Sequence, residues 1–320
     1  MAAQTLWRSE PGYISRSGVG KDAIDKTMDA LVMVANKTVL QGARFWQKVY
    51  SKSGTYKESG YGNDLPLPPV SEDSAQLPTA VPTPDFPKSV TVSTRRLSVQ
   101  VERAFTEDDL QGVAKKMMSG LLRVGKLCIE YQLADFWNNL TTGTGVYVGG
   151  DGVAIANGSH PHRLRQTGTW SNLGTAAALT TTTYFQAYQN MRNRVDTRGY
   201  VLAVKPTLLV VPVELAKKAA EIAVAAKVPE NAMNTPHTEF GGKGVEWMVY
   251  DYQTDVNSWT LWGDLPKDQN GFLLFEKVAP NIAPTVGSDR STDIIWGERL
   301  RMRIGAGVRV ARNIEANIGA

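Results

Sequence analysis

Helical spacing of apolar residues is strongest between positions 106 and 140, a stretch without proline. Thr106 can cap the first turn, and the acidic residues after it complement the helix dipole. At 1.5 Å per residue this helix would be roughly 50 Å long, so we expect a spine across the molecule. Its apolar residues form two stripes, so more than one side should be covered. The stripes are Leu110, Val113, Ala114, Met117, Leu121, Val124, Cys128 and Tyr131, and Met118, Leu122, Ile129, Leu133 and Phe136.

The chain before residue 50 lacks the pattern of a core. Residues 1–21 are rich in glycine and serine, which predicts an extended arm. Residues 22–35 have apolar positions at helical spacing, which predicts a short amphipathic helix. Two interpretations of that helix remain open: it docks on another surface, or it is the ordinary first helix of a domain.

Residues 50–88 contain seven of the sixteen prolines, which excludes a helix there. Apolar and aromatic residues persist in this stretch, as in Tyr56, Leu67 and Phe86. Because so long a loop is uncommon inside a compact domain, we predict an extended loop that projects from the body and packs on something else. A proline-rich recognition motif is the alternative interpretation.

The rest of the pattern mixes short strands with helices. Alternation over 90–101 changes phase near Arg95–Arg96, which predicts a bulge or a change of partner strand. Threonines 180–183 can cap one helix, and Pro212 can open another. This mixed order predicts an α+β fold. Further strands are predicted at Tyr200–Lys205, Leu208–Val211, Val245–Tyr250, Trp259–Trp262, Phe272–Phe275, Ile294–Trp296 and Leu300–Val310, and an irregular loop at 227–243.

Composition narrows the class of protein. The chain has 320 residues, a net charge of +4 and one cysteine, Cys128, which we interpret as a buried small apolar residue. Folding in a reducing cytoplasm follows from this cysteine usage. We expect no membrane association, because no run approaches the roughly 18 apolar residues of a span.

Candidate chemistry is sparse. His160 and His162 resemble a metal pair, but the third histidine is distant at His237, so we predict a loop-surface or hydrogen-bonding role. The glycine-rich stretch 143–152 matches no phosphate-binding motif. Helix-start electrostatics explains Asp108–Asp109. We therefore predict no catalytic, cofactor-binding or metal-binding residues, no cofactor and no enzymatic activity.

Arginines alternate with apolar residues near the end of the chain. This strip could face phosphates, or it could be a solvated or intersubunit strand face. It consists of Arg299, Arg301, Arg303, Arg309 and Arg312.

Three segments carry a family resemblance. They are GDGVAIANGSHP (150–161), TGTWSNL (167–173) and KPTLLVVPVELAKKAAEI (205–222). In this order they resemble the Mu-type major head subunits among the major capsid proteins of tailed phages. The motif resemblance covers 150–225, and the general organisation resembles that family from about residue 45 to 312.

The resemblance implies the Hong Kong-type phage head fold with four regions. Residues 1–49 would be an N-terminal arm and 50–89 an extended loop, the E-loop, lying over a neighbouring subunit. Residues 90–174 and 291–320 would form a peripheral domain around the spine helix 106–140. Residues 175–290 would form an axial domain whose loops meet at the capsomer axis.

The implied function is a shell protein that assembles into hexamers and pentamers of an icosahedral phage head enclosing DNA. The resemblance also implies virion localisation, assembly in the host cytoplasm, and scaffold, portal and decoration proteins as further partners. An encapsulin-type nanocompartment, which shares the fold but encloses enzymes, is one alternative. An enzyme with an unrecognised site, favoured only if the 143–152 loop bound a ligand, is another.

Overall fold

The computed structural model describes residues 40–50, 55–58, 86–102, 113–162, 168–196, 199–223, 245–266, 269–284 and 294–319, with the single positions 68, 70 and 79. Five predicted features therefore lie wholly or largely outside the described residues. They are the arm at 1–21, the helix at 22–35, most of the loop at 50–88, the helix start at 106–112 and the loop at 227–243.

The described residues form three α-helices and twelve strands. The helices are α1 (Val113–Asn138), α2 (Thr181–Arg192) and α3 (Ala216–Ala223), with short 3₁₀ turns at Gly42–Arg44, Gly145–Tyr147 and Val213–Leu215. The strands are β1 (Gln47–Tyr50), β2 (Thr55–Glu58), β3 (Lys88–Thr91), β4 (Ser93–Glu102), β5 (His160–Pro161), β6 (Thr169–Trp170), β7 (Lys205–Val211), β8 (Glu246–Val249), β9 (Trp259–Asp264), β10 (Phe272–Pro284), β11 (Ile294–Val308) and β12 (Ile314–Asn317).

Two four-stranded sheets dominate the architecture. The first sheet has the order β1-β10-β11-β4, and the second has the order β12-β9-β7-β8. Both sheets contain parallel and antiparallel pairs. The β10–β11 pair is unusually long, with 13 and 15 residues in its two strands. Segregated helices and mixed sheets confirm the α+β prediction.

The spine helix α1 packs on the first sheet along one stripe. Leu122, Ile129, Leu133 and Phe136 of that stripe are buried, as predicted. The other stripe is only partly covered, because Val124 is 46% exposed and Tyr131 63% exposed. The main core lies where the C-terminal half of α1 meets both sheets.

Gly125 has a packing role in α1. A Cβ at this position would lie 3.0 Å from a methyl carbon of Leu300 on β11. The glycine therefore lets the helix and the strand approach closely, which outweighs its low helix propensity.

Strand β3 crosses the face of the first sheet that is opposite α1. Val90 and Val92 form a small apolar cluster there with Leu273 and Phe275 of β10. The change of partner predicted near Arg95–Arg96 occurs instead at Val92, between β3 and β4. The change in apolar alternation near Arg95–Arg96 does not mark the change of partner strand, because β4 keeps an unbroken register with β11 from Ser93 to Val101.

Glycines in β11 make this crossing possible. A Cβ on Gly307 would lie 2.4 Å from a methyl group of Val90, and one on Gly305 would lie 2.7 Å from the Thr91 carbonyl oxygen. Both glycines lie on the face that β3 covers, since the side-chain period of a strand is two.

Gly307→Ala is expected to lower the free energy of unfolding by about 1–3 kcal/mol, because the new methyl group overlaps Val90. Chemical denaturation of the subunit would measure this loss. Adding Val90→Ala should recover part of it, as expected for a shared contact. Gly120→Ala is the control, since nothing lies within 4 Å of a Cβ there and alanine favours a helix by up to about 1 kcal/mol. Equal stability of Gly307→Ala and the wild type would contradict this account of the crossing.

Several predicted strand bounds need correction. Tyr200–Lys205 is not a strand, and Pro206 lies inside β7 instead of separating two strands. Proline is tolerated there because β8 pairs only with Leu208–Val211, so no neighbour on that side requires the missing donor. The predicted strands Ile294–Trp296 and Leu300–Val310 are one strand, β11.

The two ends of the described chain join different sheets. β1 pairs in parallel with β10, and the aromatic residues just before it, Phe45 and Trp46, lie in the main core. β12 pairs with β9 in the second sheet, although β11 belongs to the first. Neither short strand was predicted from the sequence. A boundary at residue 290 would also separate β10 from β11, its partner in the first sheet.

The helix predictions downstream of the spine are confirmed. Thr180 caps α2 through its hydroxyl, and Thr183 returns a hydrogen bond to the Thr180 backbone. Pro212 precedes the 3₁₀ turn that leads into α3. Within the part of the chain that the structure describes, no helix is long and apolar enough to cross a membrane.

Candidate functional site

The two motif histidines have different surroundings. His160 is buried, with Nδ1 at 2.6 Å from Asp151 Oδ2 and Nε2 at 2.9 Å from Asn172 Oδ1. His162 is partly buried, and burial together with the nearby Arg312 lowers the pKa of its imidazole. His237 lies outside the described residues.

Asn172 is the centre of this network. Its amide nitrogen donates to the carbonyl oxygens of Ile155 and Ala311, at 2.8 and 2.9 Å. Its amide oxygen accepts from the backbone N–H of Asn157 and from His160 Nε2. The two carbonyl contacts fix the orientation of the amide, so Nε2 of His160 carries a proton. One fully buried side chain thus joins the 151–161 segment to the chain entering β12.

This geometry has a structural role. Both ring nitrogens of His160 are occupied by oxygen partners, so neither has a free lone pair for a metal ion. The partner of Nε2 is the Asn172 amide oxygen, which holds the imidazole in place and is not a nucleophile. No cluster that could hold a metal ion occurs among the described residues. The predicted hydrogen-bonding role of His160 is confirmed.

An aromatic and ionic layer covers the network. Trp170 stacks on His160 with ring centroids 4.3 Å apart, and the guanidinium groups of Arg194 and Arg312 lie over the indole at 5.5 and 5.8 Å. Arg194 is buried and pairs with Glu315 of β12, and it also donates to backbone carbonyls at Arg312 and Ile314. Such a pair is costly to break, since either partner alone would be an uncompensated buried charge.

The glycine-rich stretch 143–152 packs on its own chain. The backbone N–H of Gly150 donates to the Arg309 carbonyl oxygen. The Tyr147 hydroxyl donates to Asp135 of α1 at 2.6 Å, and that hydrogen bond to the carboxylate raises the pKa of Tyr147 to about 12. Close backbone approach accounts for Gly150, whereas Gly145 and Gly152 adopt positive φ angles.

A second polar junction, which the sequence did not reveal, surrounds Glu130 of α1. Its Oε1 accepts from the backbone N–H of Gly42 at 2.6 Å and from the Tyr250 hydroxyl at 3.0 Å. Its Oε2 is buried without a hydrogen-bond partner. Burial raises the pKa of this carboxyl above its ordinary value of 4.5, although both hydrogen bonds act in the opposite direction. The junction joins the chain before β1, the spine helix and the residue after β8.

Glu130→Gln is expected to flatten the pH dependence of stability. The pKa of Glu130 is raised in the folded state, so folding favours the uncharged carboxyl. The stability that Glu130 contributes is therefore fully present below pH 4.5 and is lost as pH rises through the folded-state pKa. Urea unfolding should show that the free energy of unfolding falls less for the variant than for the wild type when the pH is raised from about 5 to about 8. The exposed Glu214→Gln is the control and should keep the wild-type dependence. Parallel pH profiles for Glu130→Gln and the wild type would refute this role.

The remaining candidates are placed as follows. Cys128 is half-buried and accepts a hydrogen bond from Arg95 at 3.2 Å. Asp108–Asp109 lie outside the described residues. The predicted arginine strip is not continuous, because β11 ends at Val308. Arg299 and Arg301 are exposed on the strand, whereas Arg309 is buried and Arg312 lies over Trp170.

Comparison with solved structures defines the fold. The capsid of an empty GTA particle matches 100% of this chain and 96% of its own, with TM-score 0.51 and 11% identity. A structure of Microbacterium phage Oxtober96 matches 88% of this chain and 92% of its own, with TM-score 0.51 and 10% identity. The holo-encapsulin complex from Synechococcus elongatus PCC 7942 matches 88% and 87%, with TM-score 0.50 and 9% identity. The expected phage capsid fold is confirmed.

Sequence comparison distinguishes among proteins that share this fold. Residues 164–241 match the family model of the Mu-like prophage major head subunit gpT. Over this segment the chain is similar to the Mu-like major head subunits. No curated protein matches it in sequence.

The matched segment includes part of the polar network. It begins just before β6 and contains Trp170, Asn172 and Arg194, together with β7 and α3. These residues support the fold, and their chemistry is that of buried hydrogen bonds.

Proposed function

We propose that the chain assembles into hexamers and pentamers that close an icosahedral phage head around DNA. The match of residues 164–241 to the Mu-like major head subunit carries this proposal. The capsid fold over the whole chain supports it. Head-to-tail contacts between identical subunits close into rings when the rotation permits, and rings of this kind are the units of a shell.

Exposed apolar side chains supply candidate contact surfaces. Tyr50 is 80% exposed, Val146 59% and Val201 65%, and they lie in separate parts of the fold. Val70, from the loop at 50–88, is fully exposed.

The domain division is also part of this proposal. The peripheral domain comprises α1 and the first sheet, with the E-loop leaving between β2 and β3. The axial domain comprises the second sheet with α2 and α3. Since β10 pairs with β11 and β12 pairs with β9, the chain passes between the two domains more often than the ranges 175–290 and 291–320 imply.

Scaffold, portal and decoration proteins are proposed as further partners, with non-specific phosphate contacts to the genome and assembly in the host cytoplasm. The encapsulin alternative shares the fold, as the Synechococcus complex illustrates. The Mu-like segment favours the phage head over that alternative. Assembled particles would separate the two: a head encloses DNA, whereas a nanocompartment encloses protein cargo.

Electron microscopy and light scattering of the purified chain test the proposal. We expect closed shells of megadalton mass, or ring-shaped capsomers of several hundred kilodaltons, which form as the concentration is raised. The concentration series itself is the internal control, because dilution should return the scattering signal toward the single subunit. A compact monomer at every concentration would overturn the proposal.

A further inference from the structure

Three exposed arginines form a cationic surface on the first sheet, on the face opposite α1. The arginine face consists of Arg299 and Arg301 of β11 and Arg96 of β4. Arg301 lies directly opposite Arg96 in the strand register, and Arg299 is two residues away, about 7 Å along the strand. The three side chains line an open groove of about 500 Å³ together with Leu97, Ser98 and Leu300.

The arginine face has no anionic partner among the described side chains. Apart from Arg96 itself, the residues opposite Arg299 and Arg301 on the neighbouring strands are neutral: Asn281 and Ala283 on β10, and Ser98 on β4. None of the ion pairs in the described part of the chain involves the three arginines. Like charges directly opposite each other destabilise a strand pair. A bound anion would remove this repulsion.

The chain itself contains a matching acidic segment. Residues 59–85 contain Asp64, Glu72, Asp73 and Asp85 and no lysine, arginine or histidine, in a protein whose net charge is +4. Every copy of the arginine face is therefore accompanied by one copy of an acidic segment. Complementary charges of this kind steer association and fix register between partners.

The described residues that follow that segment lie away from the arginine face of the same subunit. Thr91 lies over Gly305 and Val90 over Gly307, while Phe86 and Pro87 lie beside Gly150, which contacts Arg309. Followed backwards from β3, the chain thus runs along β11 toward residue 309, whereas the arginine face lies at residues 299–301. This direction favours binding in trans, to a second copy.

We propose that the arginine face of one subunit binds the acidic segment 59–85 of a second copy of this chain, with Glu72 and Asp73 as the anionic groups. The proposal rests on the proposed shell function and specifies one of its contacts. Arginine suits this task because its planar guanidinium binds carboxylates through two hydrogen bonds.

Charge reversal in the full chain tests this contact. Arg299→Glu/Arg301→Glu is expected to raise the protein concentration needed for shell formation by about tenfold or more, since carboxylates would then face carboxylates. Glu72→Lys/Asp73→Lys should produce the same defect, and the variant with all four changes should assemble again. Arg299→Lys/Arg301→Lys keeps the charge and should shift the concentration by less than about threefold. Thermal unfolding of each unassembled subunit would show that the fold is retained.

The outcomes are distinct. A wild type that never assembles overturns the proposed function. If the wild type assembles and Arg299→Glu/Arg301→Glu also assembles normally, the contact alone is overturned. The contact is likewise overturned if the variant with all four changes stays defective. Binding of each variant to a short DNA duplex is measured in parallel. If Arg299→Glu/Arg301→Glu assembles but loses DNA binding, the face binds phosphates and the proposed contact is wrong.

Discussion

Asn172→Ala is expected to destabilise the subunit by about 3–5 kcal/mol and to lower its Tm by roughly 5–10 °C. The substitution removes the Asn172 partner of four groups: the buried carbonyls of Ile155 and Ala311, the buried Nε2 of His160 and the partly buried N–H of Asn157. Each unsatisfied buried group costs about 1–3 kcal/mol, and local relaxation recovers part of the sum. Calorimetry and denaturant unfolding of the unassembled subunit would measure the loss.

The neighbouring Asn157→Ala is the matched control for that experiment. The Asn157 side chain is only partly buried and accepts one hydrogen bond from the Ser159 backbone, so its removal should cost less than about 1 kcal/mol. Asn172→Asp should be as harmful as Asn172→Ala, because a carboxylate would face two carbonyl oxygens. An Asn172→Ala subunit with wild-type stability would show that the network does not join the segments it connects.

Replacement of residues 60–85 by a short Gly-Asn linker is expected to abolish shell formation while the subunit stays folded. The linker keeps β2 and β3, whose pairing ends at Glu58 and Lys88, and a tight turn can connect them. The subunit's Tm should change by no more than about 2 °C, since the main core, as far as the structure describes it, is formed by residues outside 60–85. Circular dichroism and thermal unfolding would report the fold, and electron microscopy would report the assembly.

A Gly/Ser segment of the same length as 60–85 is the control for loop length. It should also fail to assemble, because it lacks the apolar and acidic side chains that a neighbour would bind. Loss of the folded subunit in both variants would place the proline-rich segment within the subunit's own core. Normal shells from either variant would show that the segment is not an assembly element.

Local sequence patterns predicted the structure best where one helix or strand buries a face of regularly spaced residues. The second stripe of α1 and the capping threonines of α2 match the structure. The hydrogen-bonding role that the sequence predicted for the histidine pair matches the contacts of His160. The three motif segments supplied the family resemblance, since they combine buried polar residues in a fixed order.

Local sequence patterns failed to predict elements that are stabilised by residues far away in the sequence. β1 and β12 are four residues long, too short for a periodicity argument, and each is stabilised by a strand distant in sequence. Glu130 looks like a solvated residue in a helix, yet it is buried because Gly42 and Tyr250 approach it from opposite ends of the chain. The arginine strip breaks after Arg303 because the strand ends, which alternation alone cannot show.

By itself, the sequence determined the mixed α+β class, the spine helix, the proline-rich segment and the Mu-type resemblance. Only the tertiary structure decided how the strands are shared between the sheets, how β3 crosses over Gly305 and Gly307, and which arginines form one face. The physical reason is the separation along the chain over which each kind of interaction acts. Caps, propensities and periodicity act over one or two turns, whereas strand partners and buried hydrogen bonds here join residues more than 100 positions apart.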